Sequence, residues 1–267
     1  MMQDWALVIF TLCISAAAGG SIFYALKRQQ DAELSLERGF LYLIGLVGVG
    51  MLGSLLHLGR PLAAPYAIFN LGSSWLSREI LFAVAFALLL VICWFLERQN
   101  KLNTSLIWLS SIVGLISVFS MTQIYMSTLI PAWQSWYTIV EFFVATAILG
   151  VVFAMLTLPG GYGGQQYKWV LLGAVLLQIA LMPSFFGFLG VSTLAGQASI
   201  SLLAGSFGIL NIVRWLLVVS GVAWFVISPP KNSHSLPVAL LLTVGVVLGR
   251  YIFYVTGVVI TVGMLGM

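Results

Sequence analysis

Long apolar runs alternate with short polar breaks along the whole chain. Eight windows match the roughly 20 apolar residues needed for one helical crossing of a bilayer. They fall at roughly 5–26, 39–57, 79–96, 105–129, 138–158, 169–190, 206–227 and 237–260. The breaks differ in chemistry. KRQQDAELSLER, from Lys27 to Arg38, is the most charged stretch, and ERQNKLN follows the third run. Pro131 interrupts the sequence after the fourth. PGGYGGQQYK, from Pro159 to Lys168, is rich in glycine, and SPPKNSHS, from Ser228 to Ser235, in proline; both compositions favour loops. The start of the seventh run is the least marked, because SISLLAGSFG before it is only weakly apolar. The pattern predicts an all-α integral membrane protein, with residues 1–267 forming one transmembrane domain of eight helices.

Composition points the same way. Apolar residues make up 61% of the chain and charged residues 7%, against about 25% charged in a soluble domain. So few charges cannot clothe a water-facing surface. The opening MMQDW has no basic region, so the first run reads as a retained span rather than a cleaved signal.

Charge placement sets an orientation. Eight crossings bring both ends to one side. The loops after spans 1, 3, 5 and 7 hold Lys27, Arg28, Arg38, Arg98, Lys101, Lys168 and Lys231, whereas the other side has Arg60 and Arg78. Basic residues concentrate in cytoplasmic loops, so both termini are expected in the periplasm, with His57, Arg60, Arg78 and Glu79 at the outer rim. The net charge of +4 therefore reflects topology and gives no sign of nucleic-acid binding. Cys13 and Cys93 fall inside spans, so neither a structural disulfide nor an iron–sulfur motif is expected. GGYGG lacks the Gly-Lys-Ser/Thr ending of a phosphate loop and reads as a turn.

Ionisable side chains inside spans are costly and mark candidate functional positions. They are His57, Glu79, Glu141, Arg214 and Arg250, with Gln123 and Gln178 as weaker additions. His57 ends one span and Glu79 begins the next, 22 residues on, so one outer loop can bring them together. Histidine titrates near neutral pH, and with a nearby carboxylate it makes a plausible proton-accepting pair. The plainer alternative is a helix-end histidine satisfied by a carbonyl, and a first-turn acid favoured by the helix dipole. Arg60 and Arg78 flank the same loop and suit a lipid headgroup, an acidic partner, Glu79 or simple interfacial anchoring. An unpaired arginine at the bilayer centre costs at least ~2.5 kcal/mol, so Arg214 and Arg250 each need a partner. Glu141 is at a compatible depth for Arg214. Arg250, in LGRYIFY, is expected to stack or to bond to a neighbouring helix. AWQSWYTIVEFF reads as an interfacial aromatic belt or as the mouth of a pocket for a flat ligand. SAAAGG in the first span offers a small-residue face for close helix packing. His57 is the only histidine in a span, so a bis-histidine haem is not expected.

LLHLGRP, followed by the glutamate of WLSREI, resembles the membrane anchor subunit of bacterial dimethyl sulfoxide reductases. IYMSTLIPAWQSWYT, NIVRWLL and LGRYIFY extend the resemblance over most of the chain. Polysulfide and nitrite reductase anchors are more distant. The resemblance implies a multi-pass subunit of the bacterial cytoplasmic (inner) membrane that binds menaquinol and oxidises it. It implies two partners, a four-cluster iron–sulfur subunit and a molybdopterin catalytic subunit, and no haem, iron–sulfur cluster or metal in this chain. It maps the functional histidine to His57 and the functional glutamate to Glu79. Arg60 and Arg78 depart from the family pattern and add positive charge where quinol would bind. The alternatives are the quinone-interacting anchor of a polysulfide, thiosulfate or selenate reductase, a structural anchor, or a transporter without quinol chemistry.

Overall fold

The structure is a computed structural model that describes residues 2–57, 69–159, 164–228 and 234–260; for 2–4 and 56–57 it describes the backbone alone. The described residues form nine helices: α1 (Met2–Gln30), α2 (Glu37–His57), α3 (Trp75–Arg98), α4 (Thr104–Met126), α5 (Tyr137–Thr157), α6 (Gln165–Ser192), α7 (Leu194–Ala204), α8 (Gly208–Ile227) and α9 (Ser235–Val255). Eight are long and apolar enough to cross a membrane. The protein is a multi-pass membrane protein.

α7 is the helix the apolar pattern does not resolve. Its 11 residues are too few to span a bilayer. The Thr193 hydroxyl accepts from Gly196 N at 3.1 Å and caps its first turn, as short hydroxyl side chains do. α3 begins at Trp75 rather than near 79, because Ser74 supplies the cap by accepting from Ser77 N. α4 ends at Met126 and α9 at Val255, both short of the apolar windows that predicted them. Asn100, with φ 54°, turns the backbone from α3 into α4; asparagine tolerates this left-handed conformation better than most residues.

Long-range contacts fix the up-and-down order. On one face Trp5 of α1 stacks on Tyr251 of α9 at 5.1 Å, and Ile260 N donates to Leu129 O at 3.0 Å. On the opposite face the Tyr24 hydroxyl donates to Thr157 Oγ1 at 3.0 Å, Arg28 pairs with Glu97, and Lys168 Nζ donates to Val226 O at 2.9 Å. The first is called the N-terminal face below.

α1 and α5 are the most enclosed helices. Their axes approach at Gly19 and Gly150, where a Cβ on Gly19 would lie 2.2 Å from Thr146 O. The SAAAGG face is therefore a packing surface, because dispersion between closely approaching backbones is what lipid-immersed helices gain by associating. α6 and α8 lie at the periphery and expose Leu176, Ile209 and Leu216, as lipid-facing helices do.

Candidate functional site

Two groups of buried polar side chains lie toward the N-terminal face. The first joins α5, α6 and α8. Arg214 Nη2 donates to Glu141 Oε1 at 2.6 Å, and Gln178 Nε2 donates to Glu141 Oε2. Both carboxylate oxygens are thus occupied, which a buried charge requires. The Tyr137 hydroxyl donates to the Gln178 carbonyl at 3.4 Å. Gly249 of α9 makes room, since a Cβ there would stand 2.6 Å from Arg214 Nε. Above this group lies a cavity of about 50 Å³, walled by Trp133, Tyr137, Phe185 and Phe253. Trp133 is fixed there by stacking on Phe253 at 5.3 Å and by donating Nε1–H to Phe253 O at 2.8 Å.

The second group joins α4 and α9. The hydroxyls of Tyr125 and Tyr254 share a 2.6 Å hydrogen bond in a buried setting. Trp133, Phe142 and Phe253 surround Tyr125. Glu79 of α3 is also buried.

Arg250 stands between the groups. It is 1% exposed, and its guanidinium carbon sits 3.5 Å from the centre of the Phe142 ring, an arrangement favoured by the negative face of the ring. None of its three nitrogens has a hydrogen-bond partner among the described residues. A void of about 10 Å³ separates it from Glu141, Gln178 and Arg214.

The remaining expected positions are placed as follows. His57 is the last residue of α2, and its side chain lies outside the described residues, as does Arg60. α2 and α3 pack against each other, so the end of α2 and Glu79 share the N-terminal face. Arg78 turns to its own loop: Nε donates to Leu71 O at 2.8 Å and Nη2 to Gly72 O at 2.7 Å, with the guanidinium over the Trp75 ring at 4.3 Å. Sequence reasoning passed over Tyr125 as a partner of Tyr254 and took Phe142 only as part of an aromatic stretch. The available signal was an aromatic residue near the end or start of a span, at the depth of the charged positions.

Similarity over nearly the whole length decides the family. The family model described as "DMSO reductase anchor subunit (DmsC)" covers residues 1–256. The chain belongs to the DMSO reductase anchor subunit family. It is 28% identical to the anaerobic dimethyl sulfoxide reductase subunit YnfH of Escherichia coli strain K12, over 98% of this protein and 97% of that one. The C subunit of the anaerobic dimethyl sulfoxide reductase of the same strain is 29% identical, and that of Haemophilus influenzae 26%, each over 98% of this protein and 97% of the relative. No solved structure matches. The anchor subunit thus carries a buried acid, a phenol pair and two arginines on the face where α1 begins and α9 ends. Carboxyl and phenol groups can accept and release protons.

Proposed function

We propose that this anchor subunit binds menaquinol at its N-terminal face and oxidises it there, with both termini in the periplasm of the bacterial inner membrane. The observation that carries the reading is the position of Glu79. It is a buried acid near the start of α3, on the helix that packs against the one ending in His57. A carboxyl kept in such surroundings is costly unless it has work to do.

In this reading a menaquinol hydroxyl hydrogen-bonds to the His57 imidazole, which accepts its proton as general base. Glu79 orients His57 and relays protons toward the periplasm. Menaquinol becomes menaquinone, releasing two protons by this route and two electrons to a partner. The first acceptor is the nearest cluster of a four-cluster iron–sulfur subunit, and a molybdopterin catalytic subunit reduces the terminal acceptor. The anchor supplies quinol binding, proton removal and attachment to the membrane. Arg60 and Arg78 set the positive charge of the outer loop toward quinol or partner.

The relatives that match nearly end to end are subunits of dimethyl sulfoxide reductases, which supports this choice over a transporter. Quenching of a fluorescent quinol analogue in membranes containing the assembled complex tests it. Binding that is lost in a His57→Ala variant supports the site, and equal quenching with and without His57 contradicts it.

A further inference from the structure

The void beside Arg250 has a divided lining. Valine, alanine and isoleucine side chains form one part, and Glu141, Gln178, Arg214 and Arg250 form the other. Arg250 is 1% exposed, and its three nitrogens have no hydrogen-bond partner among the described residues. The Phe142 ring, 3.5 Å from the guanidinium carbon, meets the cation without filling its donors, because guanidinium N–H groups point outward in the plane of the group. A buried charge needs such donors filled. The acid on the wall of the void is Glu141. Arg214 and Gln178 each take one of its acceptor positions. An ionised carboxylate has about four, so Glu141 can accept further hydrogen bonds.

We propose that this void is a water site. One enclosed water accepts from the Arg250 guanidinium and donates to Glu141, which makes Glu141 the counter-charge of both arginines: of Arg214 by contact and of Arg250 through the water. Size supports this. The void measures about 10 Å³, close to the least that one water requires. Polarity supports it too. An apolar cavity stays dry, whereas a space with two to four polar partners holds water. Water is the ligand that the lining selects, since it accepts on one side and donates on the other. An anion would meet the Glu141 carboxylate, and a cation would meet two guanidiniums. A bridging water keeps most of the strength of a direct hydrogen bond, so Arg250 can stay enclosed without an acid of its own. Glu141 and Arg214 also wall the neighbouring cavity of about 50 Å³. The ion pair therefore stands between that cavity and the enclosed water. None of this depends on quinol chemistry.

The first test is a structure of the full-length protein at a resolution that shows ordered water. A density peak is expected in the void, at hydrogen-bond distances of about 2.5–3.2 Å from an Arg250 nitrogen and a Glu141 oxygen. A void without a peak overturns the proposal, as does a guanidinium bonded directly to Glu141 or to a backbone carbonyl. Crystals grown in bromide separate water from an anion. A peak without anomalous signal supports water, and an anomalous bromide signal in the void overturns it. The second test reads thermal unfolding of the protein purified in detergent. E141Q is expected to lower the midpoint, and R250M added to E141Q to recover part of that loss, because coupled groups are not additive. Should E141Q alone fail to fold, recovery of folded protein in E141Q/R250M supports the same coupling. R250M lowering the midpoint equally in the parent and in E141Q overturns the shared counter-charge.

Discussion

Arg214 on α8 places Nη2 2.6 Å from Glu141 Oε1 on α5, across 73 residues of sequence. The side chains are only 13% and 9% exposed, so neither can turn to solvent if the other is removed. Breaking one side of such a pair strands a buried charge, at a cost of about 3 kcal/mol or more. R214Q is therefore expected to lower the unfolding midpoint of the purified protein markedly, and E141Q/R214Q to recover part of the loss. Thermal unfolding in detergent checks this.

Close approach of α1 and α5 makes Gly19 unusually sensitive. A Cβ there meets the Thr146 carbonyl at 2.2 Å, and a backbone atom cannot swing aside as a side-chain tip can. Gly19→Ala is expected to destabilise by about 1–3 kcal/mol, the usual range for overpacking. Gly45→Ala, where nothing lies within 4 Å, is expected to be neutral or nearly so. The two midpoints measured side by side make the comparison.

The opposite face offers a contrast between enclosed and exposed ion pairs. Glu97 Oε1 accepts from Arg28 and also from Leu36 N at 2.7 Å, which ties the α1–α2 link to the end of α3. Glu97→Gln is expected to cost about 1–3 kcal/mol, because partners are left unmatched in a buried place. Arg98 and Glu37 meet at 3.2 Å with 56% and 42% of their side chains exposed. Arg98→Ala is expected to change stability by less than about 1 kcal/mol, and unfolding midpoints at low and high salt separate the two cases.

The eight crossings were legible because each apolar run reaches bilayer length whatever its helix rotation. α7 was not, since Leu194–Ala204 mixes Gly, Ser and Gln with apolar residues over only 11 positions. Arg214 and Glu141 could be matched by depth alone, as both sit in the first halves of their helices. The Tyr125–Tyr254 bond and the Arg250–Phe142 contact depend on how α4, α5 and α9 are rotated about their axes. Helices that are apolar all round carry little record of that rotation. Arg78 illustrates the same gap: adjacent to Glu79 in sequence, it turns back to Leu71 and Gly72, because successive helical residues point to different sides.

The proposed orientation rests on the sidedness of lysine and arginine. A periplasm-dependent reporter enzyme fused after Met267 is expected to be active. The same reporter inserted at Lys101 is expected to be inactive. The reverse pattern would turn the bundle over and move His57 and Glu79 to the cytoplasmic side.

The central claim is tested most directly by quinol-driven reduction in membranes that hold the assembled complex. His57→Ala and Glu79→Gln are each expected to reduce the rate with a menaquinol analogue at least tenfold. Reduction of the same terminal acceptor by an artificial soluble donor, which bypasses the anchor, is expected to stay intact. Parent-like quinol rates in both variants would contradict the account and leave the subunit a tether for its partners.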